Sequence, residues 1–432
     1  MDVTIRVFEL GGFGDVVAAV KMGEALSEQE HTVTYQLHDL KVKHKFDTLF
    51  PGLKSAFTYN NETHGELTIA VIGNGYNTCN DVFVGEFDYL ESSPNRPVTI
   101  MPGLSDYYAY VDTPFNRRAQ HSAVKEFSLL TPMFYAPYRL DALPKPGEEN
   151  IREVIIENVW SMKSDKARDM LYKSERIGVC YAAMPESIVK FANQLRIASN
   201  GFARKRLGVA VLSDANTEKK VKEQLLEKGG YAIIGSDAKI EGDANSKVLV
   251  AMLGTKPQTV TTSLFFSSEM PNLVTGDGSL SDAIYALTFL NGQGFFYEPN
   301  PWKSQTTEGI TKLMSRQSEN AERSFSQAAK FLQRYSYGKI DRNPIASVLS
   351  SERNMDSYTK GQRDSFLKAF RSAHSEGVTP EAVTVQGTIG RVVEELAAKP
   401  ALLSALRNPP KHEYVTPLWA LRRTQIKKIA IS

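Results

Sequence analysis

Apolar positions along the chain group into two recurring patterns, short β-branched runs and longer stretches with helical spacing. Residues 3–8 form a run of the first kind, followed by the glycine-rich GGFGD and a helix-like pattern over 16–26. This is the order strand, tight turn, helix. A second strand is predicted at 31–37 (HTVTYQL), a short helix at 42–50 stopped by Pro51-Gly52, and strands at 67–72, 82–87 and 97–101. Strands alternating with helices imply a mostly parallel sheet covered on both faces.

Between 105 and 150 the chain is rich in Tyr, Pro and Phe without clean periodicity, which predicts loops and irregular helices. The proline-rich stretch 143–147 is the expected domain boundary. A second alternating unit follows, with strand-like runs at 176–181 (RIGVCY), 207–212 (LGVAVL), 231–234 (YAII), 247–252 (KVLVAM) and 272–275 (NLVT), and a helix over 218–228. Beyond Pro301 the strand signal fades. Ile310, Leu313, Met314, Phe325, Ala328, Phe331 and Leu332 recur at helical spacing, and helix-like segments separated by Pro344, Pro380 and Pro409-Pro410 run to the end. There is no internal repeat. The expectation is an α/β, GT-B-like architecture: two Rossmann-like domains, 1–150 and 151–305, facing a cleft, with a helical part, 306–432, packing back on the first domain.

Composition narrows the function classes. A chain of 432 residues, 42% apolar and 23% charged, is globular with a sizeable core. Fifty-one basic and 49 acidic residues leave a formal charge of +2, so no strong field is available to hold nucleic acid or an anionic membrane. No apolar run is long enough for a membrane span. The start of the chain, with Asp2 and a strand-like pattern, does not read as a secretory signal. Cys79 and Cys180 are the only cysteines and form no CxxC pair, which points to a reducing, cytoplasmic compartment, although delivery by a specialised secretion machine would leave no trace. The seven histidines are scattered without HExxH, and no metal site is expected.

The turn at 11–15 is the first candidate for chemistry. Between a first strand and its helix it sets backbone N–H groups and the positive end of the helix dipole at the carboxyl edge of the sheet, where ligands of open α/β sheets bind. Gly11, Gly12 and Gly14 permit close backbone approach, with Phe13 between them. Asp15 has two readings. As a helix cap its carboxylate accepts from the N–H of Val17 or Ala18 and contributes about 1 kcal/mol. As a general base it takes a proton from an acceptor while a leaving group departs from the far side.

The stretch GGFGDVVAAVKMGEAL resembles the first turn of bacterial heptosyltransferases, and more closely the N-terminal motif of the protein-arginine rhamnosyltransferases that modify elongation factor P. The resemblance implies a GT-B fold, a catalytic role for Asp15, and an inverting, metal-independent glycosyl transfer from a nucleotide-diphosphate sugar. Gly12, Phe13 and Gly14 would lie against the donor. The first acidic residue of the rhamnosyltransferase pattern falls near Gly11 and is absent here.

A second block, LVTGDGSLSDAIYALTFLNGQGFFYEPN, reads as strand, polar loop, apolar helix, turn and short strand. Gly276 and Gly278 let backbone amides face a diphosphate, and Ser279 and Ser281, flanking Leu280, add hydroxyls at the start of the helix. An ordinary strand-to-helix turn with Ser279 or Ser281 as cap is the plainer account. The block resembles the donor-binding block of the same families, in which Asp277 matches an acidic position that the rhamnosyltransferases fill with glutamate; the resemblance implies a catalytic role for it. Cys180-Tyr181-Ala182-Ala183-Met184-Pro185 resembles their Tyr-containing turn, which implies that Tyr181 stacks on a base or lines the sugar pocket.

Arg204, Lys205 and Arg206 precede a strand and offer charge for a diphosphate, or simply a solvated basic face. A dinucleotide-dependent oxidoreductase is the rival reading: Gly12-Phe13-Gly14 begins its fingerprint and Asp39 stands where a ribose-binding acid belongs, but Val17 replaces the third glycine. The acceptor stays open among a protein side chain such as arginine, a glycan and a small molecule.

Overall fold

The computed structural model describes residues 1–8, 14–37, 40–51, 53, 56–59, 67–72, 98–100, 150–158, 164–201, 206–299, 304–315, 317–333, 341–373 and 398. The chain divides into two units, Met1–Ala142 with Glu376–Ser432, and Leu143–Ser375.

The first unit holds β1 (Asp2–Phe8), α1 (Gly14–Glu28), β2 (Thr32–Leu37), α2 (Leu40–Leu49), β3 (Ala56–Thr58), β4 (Leu67–Ile72) and β5 (Val98–Ile100). Its strands form a wholly parallel sheet in the order β3-β2-β1-β4-β5. Val3, Ile5 and Val7 of β1 are buried, as are Val16, Val20, Met22 and Leu26 of α1. Gly23 permits the close approach of α1 to the sheet, because a Cβ at that position would collide with the Tyr35 hydroxyl. Tyr35 packs its ring 5.2 Å from Phe46 and 5.6 Å from Phe57, joining α2 and β3 to β2. The strand expected at 82–87 and the irregular segment at 105–149 lie outside the described residues.

The second unit opens with α3 (Ile151–Asn158) and α4 (Asp165–Tyr172). Then come β6 (Ser174–Tyr181), α5 (Pro185–Ala198), β7 (Arg206–Leu212), α6 (Ala215–Lys228), β8 (Ala232–Ile234), β9 (Ile240–Gly242) and β10 (Val248–Met252). After these follow α7 (Gln258–Ser267), β11 (Asn272–Val274), α8 (Asp277–Phe289) and β12 (Phe295–Tyr297). The sheet order is β12-β11-β6-β7-β10-β8-β9, parallel throughout except for the β8–β9 pair. Every residue of β8, β10 and β11 is buried, as expected of parallel strands covered on both faces. The start of β6 is fixed by Arg152 of α3, which donates to the carbonyls of Ser174 (2.6 Å) and Leu171 (3.3 Å) and pairs with Glu269 at 2.5 Å.

Four further helices, α9 (Ser304–Ser315), α10 (Glu319–Leu332), α11 (Pro344–Leu349) and α12 (Glu352–Ala373), belong to this same unit. They pack on the second sheet and its helices. The reason lies at β12, an edge strand whose outer backbone needs partners. Gln362 of α12 accepts from the Phe295 N–H and donates to the Phe295 carbonyl, each at 2.9 Å. Tyr358 donates to the same carbonyl at 2.8 Å, and Thr359 accepts from the Gly294 N–H at 3.1 Å. Phe325 of α10 and Phe366 of α12 lie 6.0 Å from the Phe295 ring, and Tyr358 stacks on Phe296 at 5.1 Å.

Candidate functional site

In the second sheet the chain runs from β6 to β7 on one side, then crosses back so that β11 pairs with the other side of β6. The carboxyl ends of β6 and β11 therefore flank a topological switch point, the place where open α/β sheets bind ligands. Three strand ends meet there. β6 delivers Tyr181 and the turn 182–184 into α5; β11 delivers Thr275 and Gly276 into α8; β12 delivers Glu298.

Glu298 is fully buried. Its carboxylate accepts from the Ala183 N–H at 2.6 Å and the Met184 N–H at 3.2 Å. Its own N–H donates to the Val274 carbonyl at 2.8 Å, and its carbonyl accepts from the Thr275 hydroxyl at 3.2 Å. One residue thus ties together the ends of three strands. Burial pushes the Cys180 thiol well up from its ordinary value and raises the Tyr181 phenol, and the Glu298 charge adds to both. Both groups stay neutral at physiological pH.

Ala183 and Met184 direct their amides at Glu298, and the first N–H groups of α8 are donors that this edge can offer an anion. Gly276 is the N-cap of α8 at φ 74° and ψ 167°, and among the described residues no side chain caps the helix. That conformation is essentially reserved for glycine, so the sequence at 276 is dictated by the turn. Ser279 and Ser281 are the third and fifth residues of the helix, so neither occupies the N-cap position. Ser279 is partly exposed and Leu280 is buried in the core. Asp277 and Gly278 are the first two residues of α8; the side chains of Asp277 and Ser281 lie outside the described atoms.

In the first unit Gly14 and Asp15 open α1 beyond the carboxyl end of β1. The Asp15 side chain, together with Gly11, Gly12, Phe13 and Asp39, lies outside what the structure describes. Of the basic run, Arg204 and Lys205 also fall outside it. Arg206 is the first residue of β7, at the amino edge of the sheet, and donates to the carbonyls of Ser246 (2.9 Å) and Ala244 (2.6 Å). It clamps a loop at the end of the sheet opposite to Gly276, its side chain partly exposed.

Glu298 escaped the sequence reading. Its signal was an acidic residue directly after an apolar strand and before a proline, in FFYEPN. Among the described residues no group of three His, Cys, Asp or Glu side chains is arranged to hold a metal ion, and no helix is long and apolar enough to cross a membrane.

No family model matches the chain, and no curated protein sequence matches it. Solved structures do. Arabidopsis thaliana UGT89C1 complexed with UDP-L-rhamnose is 14% identical, with 94% of this chain and 99% of that chain covered at a TM-score of 0.39. Phytolacca americana UGT2 complexed with UDP-2fluoro-glucose and pterostilbene is 10% identical over 93% and 99%, with a TM-score of 0.43. The glycosyltransferase VinC in complex with dTDP is 11% identical over 92% and 100%, with a TM-score of 0.42. These are distant likenesses.

Proposed function

We propose that the protein is a glycosyltransferase of GT-B type that moves a sugar from a nucleotide-diphosphate donor to an acceptor. The observation that carries the reading is the start of α8, opened by Gly276 at the switch point between β6 and β11. Helix N-termini of this kind favour a diphosphate through oriented N–H groups and the helix dipole. Tyr181, neutral at the end of β6, supplies an aromatic wall beside it, and Glu298 holds the turn between them.

In the reaction the acceptor attacks the anomeric carbon, the bond from that carbon to the phosphate oxygen breaks, and the configuration inverts. Asp15 takes the acceptor proton, and the charge developing on the leaving nucleoside diphosphate is received by backbone amides. Asp277 stands at the first position of α8, on the donor side. The acceptor is a protein side chain, arginine being the one that the sequence resemblance implies.

The test is to incubate the protein with sugar-labelled UDP, dTDP, GDP and ADP donors and a cell extract, and to follow the label into protein, glycan and small-molecule fractions. Label in the protein fraction supports the full reading; label in another fraction keeps glycosyl transfer and overturns the protein acceptor. No release of nucleoside diphosphate from any donor, with reduction of NAD or FAD instead, overturns it in favour of an oxidoreductase.

A further inference from the structure

The carboxyl edge of the second sheet carries a buried carboxylate with one oxygen to spare. Glu218, in the first turn of α6, is 7% exposed. Its Oε1 accepts from both the Ser236 N–H (3.1 Å) and the Ser236 hydroxyl (3.2 Å). Among the described residues its Oε2 accepts no hydrogen bond, and no ion pair reaches the carboxylate; Lys256 is close enough only for the two charges to be felt. A buried carboxylate oxygen without a donor is costly until one arrives.

The position of this oxygen follows from the topology. α6 follows β7, Ser236 follows β8, and β10 lies between those two strands. The bonds from Ser236 to Glu218 therefore hold the carboxylate at the carboxyl end of β10. Just beyond that end stands Gly254, at φ 71°, where a Cβ would meet only the Ser236 Cβ, at 3.8 Å. The backbone there is open to a flat ligand. Ser213, the residue after β7, is 8% exposed, and its hydroxyl has no hydrogen-bond partner among the described residues. Two buried polar groups thus wait at one stretch of the edge.

From β11, which leads into the start of α8, the order along the sheet is β11-β6-β7-β10. Three strand spacings make about 14 Å. An extended nucleoside diphosphate with its phosphates at the start of α8 covers that distance and brings the far edge of its base to Glu218. A carboxylate oxygen only accepts, and the bases differ in what they offer it. Guanine presents two adjacent donors, N1–H and the 2-amino group. Uracil and thymine set their one N–H between two carbonyls, which repel a carboxylate, and adenine sets its amino group beside a ring nitrogen that also only accepts.

We infer that Glu218 reads a guanine base, so that the donor is a guanosine-diphosphate sugar; the inference rests on the glycosyl-transfer reading above and names its substrate. A site built around buried hydrogen-bonding groups rejects analogues that leave those groups unpaired.

The experiment is calorimetric titration of the full chain with GDP, UDP, dTDP and ADP, and with inosine diphosphate, which keeps N1–H and lacks the 2-amino group. The wild type binds GDP more tightly than the other three, and inosine diphosphate roughly tenfold or more below GDP, the usual loss for a hydrogen bond to a charged group. Glu218→Gln keeps an acceptor oxygen for Ser236 and turns an amide N–H₂ toward the base, so GDP weakens by about ten- to hundredfold and its advantage over inosine diphosphate closes. A urea midpoint close to that of the wild type shows that the variant is folded. A wild type that binds UDP, dTDP or ADP at least as tightly as GDP overturns the inference and leaves the donor reading standing, whatever the variant does. A Glu218→Gln protein that keeps both the GDP affinity and the preference over inosine diphosphate overturns it as well. Should the wild type bind none of the diphosphates, the donor reading itself fails and takes the guanine assignment with it.

Discussion

The carboxylate of Glu298 lies 2.6 Å from the amide nitrogen of Ala183, a bond that reaches from the end of β12 to the turn after β6, across β11. With Met184 as second donor, it satisfies two N–H groups of the turn between strand and helix. Glu298→Ala leaves both without their partner and costs about 1–3 kcal/mol for each that stays dry. Glu298→Gln keeps one acceptor oxygen and falls between the two. Urea denaturation of the three proteins checks this; coincident midpoints would mean that the turn holds itself.

Gly276 is a test of the backbone alone. A Cβ built there meets nothing within 4 Å, so Gly276→Ala introduces no clash. The cost comes from φ 74° and ψ 167° and is about 1–3 kcal/mol. The same change disturbs the start of α8, so donor affinity falls with stability. Ser279→Ala, at a partly exposed position, leaves the melting temperature in place and weakens the donor by roughly ten- to hundredfold. Titration of both variants with the true donor separates the two effects; unchanged affinity in both would place the phosphates elsewhere.

How much of this was legible beforehand depended on whether the signal was local. β1, β2, β6, β7 and β10 were readable because each is an unbroken apolar or alternating run. Three-residue strands such as β3 and β9 are too short to show a period. Gly276 could be singled out because turn chemistry is written in neighbouring residues. Glu298 could not, since its role exists only because β12 ends two strands away from β6. Arg206 shows the same limit: a charge run does not say which edge of a sheet it will occupy. The spacing of Phe325 and Phe366 reveals a buried face and not the strand it covers, so the sequence alone does not say what that face packs on.

The edge of β12 offers a check on the packing of α12. Gln362→Ala removes the side chain that accepts from the N–H and donates to the carbonyl of Phe295. A loss of about 1–3 kcal/mol is expected for a buried backbone group left unpaired, together with a tendency to associate through the opened edge. Chemical denaturation and light scattering measure the two consequences. A variant as stable and as monodisperse as the wild type would show that α12 does not brace the strand.

Asp214 gives a prediction with a sign in pH. It caps α6, accepting from the Thr217 N–H, the Thr217 hydroxyl and the Asn216 N–H, and these bonds, those of Thr217 foremost, hold its carboxyl below the ordinary 3.8. A depressed folded value means that the contribution is fully present above the unfolded pKa and is lost as pH falls through the folded one. Asp214→Ala therefore costs about 1 kcal/mol at neutral pH, and the gap to the wild type closes below pH 3.8. Melting curves from pH 7 to pH 2 follow the gap; one that stays constant would remove the cap as its source.

The central claim is that a sugar leaves its diphosphate while Asp15 removes the acceptor proton, and single-turnover release of nucleoside diphosphate by wild type and Asp15→Asn tests it most directly. Asparagine is nearly isosteric and an equally good cap, so melting temperature and donor affinity stay as they are. The amide cannot take a proton, and the rate of release in the presence of acceptor falls by roughly 10²- to 10⁴-fold. A wild type that releases no nucleoside diphosphate from any nucleotide sugar, or an Asp15→Asn variant that keeps more than about a tenth of the wild-type rate, a loss too small for a missing base, would contradict the account.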